Sequence, residues 1–183
     1  MPINEIAEAY LSSLTNHSEV EGGLSFADYL HRDKLDFSLE SLKYVDAMLD
    51  AIRDSSKPDD YFLDQQANIN FLYLLAFYVG QVIAQSSGDP AVWYQYDEWQ
   101  HIGDNRKLTG VIENTFSTSV MCLHHGVLYI PLSAIMIRLF EGPDEKSVWY
   151  SAAGQIAALR EKRQKTENNA GIIRNAKPWW KLW

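Results

Sequence analysis

YFLDQQANINFLYLLAFYVGQVIAQS, residues 61–86, is the stretch on which the reading of the fold turns. Ile69, Phe71, Leu72, Leu74, Leu75, Phe77, Tyr78, Val79, Val82 and Ile83 make a helix here that is apolar around most of its circumference. Such a helix has to be covered on several sides. Its most apolar part, 69–84, is interrupted by Asn70 and Gln81 and falls short of the ~20 apolar residues a membrane-spanning helix needs. A buried core helix is therefore expected. Gly80 inside it costs about 1 kcal/mol relative to alanine, which implies that another backbone passes close by.

Moving toward the N-terminus, Ser55-Ser56-Lys57-Pro58-Asp59-Asp60 is a break, because proline disfavours helical geometry in the residue before it. Asp59 or Asp60 is placed to cap the helix that follows. Before the break, Leu42, Val45, Leu49 and Ile52 recur at helical spacing with Ser38 as N-cap, predicting an amphipathic helix over 38–54. Two helices joined so closely are expected to pack antiparallel. A further short helix is predicted over 4–14, where Ile6, Ala7, Tyr10, Leu11 and Leu14 form one stripe. Residues 15–25, with Gly22-Gly23, have a loop composition.

Toward the C-terminus, Ser86-Ser87-Gly88-Asp89-Pro90 ends the core helix and the texture changes. Val92, Trp93, Tyr94, Tyr96 and Trp99 favour strands, with Trp93, Gln95, Asp97 and Trp99 on one face. Further strands are predicted over 110–116, 120–124 and 127–130, the last pair joined by a tight turn at His125-Gly126. Pro131-Leu132 opens a helix that stops at Gly142-Pro143. Asp144 is placed to cap a last helix over 145–163, and 167–176 reads as a polar linker. These elements predict an α+β fold, in which a helical layer of residues 38–86 packs on a small antiparallel sheet over 91–130. The expected organisation is a single domain, 1–176, followed by a basic aromatic tail, 177–183.

Composition narrows the function. The 183 residues are 46% hydrophobic and 22% charged, a globular balance. Cys122 is the lone cysteine, which rules out an intramolecular disulfide, and the first residues lack a basic region leading into an apolar one, so a cytoplasmic location is expected. A net charge of -8 opposes attraction to phosphate backbones, so no nucleic-acid partner is expected. The charge is unevenly spread. From Arg160 onward, Arg160, Lys162, Arg163, Lys165, Arg174, Lys177 and Lys181 face only Glu161 and Glu167, a surplus of five positive charges, so residues 1–159 carry -13.

Few residues suggest chemistry. Cys122, His124 and His125 are three potential ligands within four residues, enough for zinc or copper with a fourth from elsewhere. No second ligand pair stands at a suitable spacing, and the plain structural reading is a buried cysteine beside a turn. Asp97, Glu98 and His101 sit among aromatics, where burial raises a carboxylate pKa toward acid-base work, yet catalysis needs a partner and a cleft that the sequence does not show, and the favoured reading is a solvated strand end. Ser117, Thr118 and Ser119 lack a nucleophile elbow. Phosphate-cradling glycine loops, His-Glu-x-x-His and Cys-x-x-Cys are missing. No cofactor is expected.

The tail Lys177-Pro178-Trp179-Trp180-Lys181-Leu182-Trp183 stands apart. Trp179, Trp180 and Trp183 with Lys181 are the candidate partner-binding residues, since aromatics give large contact area at low entropic cost. The tail has three possible resting places: a groove of its own domain, a partner protein, or a membrane surface. No transmembrane segment is expected.

The run Ser38-Leu39-Glu40-Ser41-Leu42, continuing to Leu49, then Tyr78-Val79-Gly80-Gln81-Val82-Ile83 and Trp93, resembles a pattern in small bacterial proteins. In these an SLxxLDxxL-type helix precedes a YxGEVI helix and a tryptophan-bearing strand. The segment from Pro131 to Phe140-Glu141-Gly142 resembles that group's PFxxVxKxLxxG element, while Gln81 stands where the group often has an acid. The resemblance implies an α+β domain from a bacterium, with some members similar to toxin-neutralising immunity or regulatory proteins. It carries over no catalytic residue.

The expected function is a non-enzymatic protein-binding module, immunity-like or regulatory, that presents an acidic surface to a basic partner. Two alternatives belong to other classes: a small metal-dependent or hydrolytic enzyme around Cys122, His124 and His125, and a homo-oligomeric structural protein whose tail enters a neighbouring subunit.

Overall fold

The computed structural model describes residues 2–59, 61–100, 121–124, 127–144 and 146–175. Helix α1 spans Ile3–Asn16, α2 Ser41–Ser56, and α3 Gln66–Ser87, the last preceded by a 3-10 turn at Phe62–Asp64. Strand β1 is Val92–Tyr94, α4 Tyr96–Gln100, β2 Met121–His124 and β3 Val127–Tyr129. Helices α5 (Pro131–Phe140) and α6 (Val148–Asn175) follow, and two further 3-10 turns, Ala27–Tyr29 and Arg32–Lys34, lie between α1 and α2.

The core is helix on helix. Phe71, Leu72, Leu75, Ala76, Phe77, Tyr78, Val79, Val82 and Ile83 of α3 are fully buried, and α1, α5 and α6 cover that helix. By length and composition alone α3 would cross a bilayer, but here its apolar surface is occupied by other helices. Leu42, Val45, Leu49 and Ile52 of α2 are buried as their spacing predicts. The predicted direct antiparallel pairing of α2 with α3 is not the main contact. Both pack more extensively against α5 and α6, and α2 meets α3 directly where Ser41 Oγ and Tyr78 OH lie 2.5 Å apart.

The α+β expectation, including the helical layer on a sheet that the resemblance also implied, is overturned. The chain is mostly helical. The strands have three, four and three residues and form an antiparallel ribbon in the order β1-β2-β3, with Trp93 opposite Cys122 and Cys122 opposite Tyr129. The ten described residues of ribbon give no layer for helices to rest on, and the described helices bury their faces in one another instead. The strand expected through Trp99 stops at Tyr94. Gln95 opens α4, with its N–H donated to Glu98 Oε2 at 2.9 Å, the backward half of a capping box. The predicted strand over 110–116, the turn at His125-Gly126 and the tail lie outside the described residues.

Capping contacts account for several boundaries. Ser38 Oγ accepts from Ser41 N at the start of α2, and Gly88 (φ 75°) ends α3 in the left-handed region, its N–H reaching Ala84 O. Gly80 is needed for a close approach, but by a side chain and not by a backbone. A Cβ there would lie 2.3 Å from Trp93 Cη2. The start of α6 is capped by Ser147, whose Oγ accepts from Tyr150 N, and from across the core by Asp46, which accepts from Val148 N and Trp149 N. Asp144 was the expected cap. Residues 167–175, expected as linker, continue α6.

Candidate binding groove

Among the described residues the most deeply buried polar side chain is Asn70, 1% exposed, on the first turns of α3. Its position near the helix start lets it reach out of the core toward the loop that follows α1. Its Oδ1 accepts from Tyr10 OH (2.7 Å) and Gln66 Nε2 (2.9 Å), and its Nδ2 donates to the carbonyls of Glu21 (2.9 Å) and Gly23 (2.7 Å). All four hydrogen-bonding positions of the amide are used. Ser25 N also reaches Ala67 O at 3.1 Å, so the loop is fastened to α3 at two levels.

The loop turns sharply because His17 (φ 56°), Gly22 (φ 83°) and Gly23 (φ 79°) all take left-handed geometry. At Gly22 a Cβ would also stand 3.1 Å from Gln66 Cγ and 3.2 Å from Asn70 Nδ2. Between this loop, α1 and the start of α3 lies an open groove of about 530 Å³. Ile6, Ala9, Tyr10 and Val20 give it apolar walls, while Glu19 and Glu21, both exposed, are the acidic residues of its loop side. Glu5, exposed on α1, lies one turn from Ala9. Burial, and secondarily the nearby Tyr73, push the Tyr10 hydroxyl above its usual pKa, so it stays protonated and keeps donating to Asn70. The loop's other side forms a second depression, where Arg32 donates to Ser13 O.

Among the described residues that line it, the groove shows no nucleophile paired with a base. What it offers is apolar surface bounded by negative charge, an arrangement suited to holding a basic, apolar segment.

The other dense polar cluster is already consumed by its own pairing. Arg138 Nη2 and Nε bind Asp50 at 2.5 and 2.8 Å, Nε stands 3.8 Å from Asp46, and Arg53 Nη1 bridges Asp50 Oδ1 (2.9 Å) and Arg138 O (3.1 Å). Burial works against the Asp50 carboxylate, but the hydrogen bonds from Arg138 and Arg53 outweigh it and hold its pKa below the usual value. With Asp46 capping α6, the cluster ties α2, α5 and α6 together.

Of the residues singled out in the sequence, Cys122 is fully buried in β2, and burial pushes its thiol pKa well up, away from the thiolate that metal binding or nucleophilic attack requires. His124 belongs to the same strand. His125 lies outside the described residues, as do His101, Ser117, Thr118 and Ser119. Among the described residues, no group of three or more His, Cys, Asp or Glu side chains is placed to hold a metal ion. Asp97 and Glu98 are exposed on α4, with Glu98 engaged by Gln95 N–H. Trp179, Trp180, Lys181 and Trp183 are outside the described residues. The groove was not legible as a site, although its parts were visible as Asn70 interrupting an apolar run and Gly22-Gly23 marking a loop.

Comparison of the chain with protein families, curated proteins and solved structures gives no match.

Proposed function

We propose that the protein is a non-enzymatic binding module that receives a basic, aromatic or aliphatic segment of another polypeptide in the groove between α1, the loop 17–23 and α3. The observation that carries this reading is the groove itself: apolar walls from Ile6, Tyr10 and Val20, carboxylates at Glu19 and Glu21, and a loop clamped in place by Asn70. A preformed groove spares the partner the entropy of ordering its walls. The charge of -13 over residues 1–159 speeds encounter with a cationic partner and disfavours acidic ones. An immunity-like or regulatory role follows from such recognition when the captured segment belongs to a basic effector.

The test is a fluorescence-polarisation titration with a labelled lysine- and tryptophan-containing peptide and its glutamate-substituted counterpart. Preference for the cationic peptide is expected, weakening about tenfold in the Glu19→Lys, Glu21→Lys variant and falling with added salt. Equal binding of both peptides, or affinity untouched by charge reversal, would remove this reading.

A further inference from the structure

The C-terminal helix leaves the body in a direction that matters. Arg160 Nη2 donates to Ser86 O and Arg163 Nη2 to Asp89 Oδ1, so α6 runs off the C-terminal end of α3 in the same sense as that helix. Beyond Arg163, residues 164–168 are all exposed and the helix continues to Asn175. Twelve residues of helix carry the chain about 18 Å past the end of α3.

The groove lies at the opposite end of α3, beside Gln66 and Asn70. The 18 residues from Asn70 to Gly88 span about 27 Å, so the end of α6 stands roughly 45 Å from the groove. The eight residues after Asn175 reach at most about 28 Å when fully extended. A tail cannot enter the groove of its own copy.

Resting on the reading of the groove as a site for basic apolar segments, we propose that its occupant is the tail 177–183 of a second copy of this chain. The chemistry is complementary. Lys177 and Lys181 would meet Glu19 and Glu21, and the indoles of Trp179, Trp180 and Trp183 would cover the apolar walls. Three such rings bury roughly 450–750 Å², and counting the matching groove surface brings the contact to about 900–1,500 Å², from below to within the range of specific interfaces. Association is therefore concentration-dependent. Donor and acceptor are different patches of one molecule, so the contact is heterologous and propagates into a ring or chain unless two copies exchange tails.

The experiment is light scattering after gel filtration, at several concentrations and two salt levels, on three proteins: the full chain, the chain truncated after residue 176, and the full-length Glu19→Lys, Glu21→Lys variant. The full chain is expected to exceed its 20.9 kDa monomer mass as concentration rises, and to revert at high salt. Each variant alone is expected to stay monomeric. An equimolar mixture should form a heterodimer, because the truncated copy keeps a groove and the charge-reversed copy keeps a tail. A monomeric full chain at about 100 µM, variants that still self-associate, or a mixture that fails to pair would each overturn the proposal. If the full chain is monomeric while the labelled cationic peptide still binds the groove, this inference alone fails. If the groove binds neither, the reading of the groove falls with it.

Discussion

Replacing Asn70 by alanine should loosen the loop that forms the groove, at a cost that follows from its hydrogen bonds. The side chain accepts from Tyr10 and Gln66 and donates to the carbonyls of Glu21 and Gly23. Each such bond contributes about 1 kcal/mol net, and a buried partner left without one costs more. Gln66 and the loop around Glu21 are exposed and recover water, whereas Tyr10 is only partly so. The sum is about 2–3 kcal/mol, or a fall of roughly 4–12 °C in melting temperature for a chain of this length. Asn70→Asp should be worse at neutral pH, since a carboxylate would face two carbonyl oxygens with no donor. That carboxyl would have a folded-state pKa above its unfolded value. The extra destabilisation should therefore be nearly absent below about pH 4 and grow as pH rises. Urea unfolding at pH 4 and pH 7 measures both effects, and peptide binding by the alanine variant should fall because the loop 17–23 is released. A change below about 0.5 kcal/mol for Asn70→Ala, with the groove still binding, would show that the amide does not hold the loop.

Gly80→Ala pushes a methyl to within 2.3 Å of the Trp93 ring; the ring is held by Phe77 edge-to-face at 4.9 Å and by Asn4, which bonds both Trp93 N and Trp93 O. Overpacking of about 1–3 kcal/mol should outweigh or match the ~1 kcal/mol gain in helix propensity, and Trp93→Phe in the same chain should recover part of any loss in urea unfolding. Asp50 has a depressed pKa in the folded state, so its contribution is present above the unfolded value of about 3.9 and disappears as pH falls through the folded one. The stability gap between wild type and Asp50→Asn should accordingly narrow in acid, by thermal denaturation from about pH 6 to pH 2, and a gap independent of pH would contradict the ion-pair role. Cys122 should resist thiol reagents at neutral pH in the folded protein and react fully in urea; rapid labelling without denaturant would show β2 to be open.

The helical framework was legible because its signals are periodic and local. Leu42, Val45, Leu49 and Ile52 report α2 by spacing, and Pro131 with Gly142 brackets α5 by chemistry. The fold class was not, because Tyr96 and Trp99 share the strand propensity of Val92, Trp93 and Tyr94, yet only those three form β1, while Glu98 caps Gln95 and turns 96–100 into helix. Propensity gave way to a cap. The length of α6 was missed for a related reason: residues 164–168 have no apolar stripe, and a solvated helix shows no period to read. The groove was hidden more deeply, since Asn70 is informative only when the chain brings Tyr10 and the Gly22-Gly23 loop to it across about 50 residues.

The most direct measurement locates the contact: amide hydrogen exchange of the chain truncated after residue 176, with and without a synthetic peptide of residues 174–183. Slower exchange in α1 around Ala9 and Tyr10, in the loop 17–23 and at the start of α3 is the result expected. Protection confined to α2, α5 or the ribbon, or no protection at a peptide concentration that saturates binding, would contradict it.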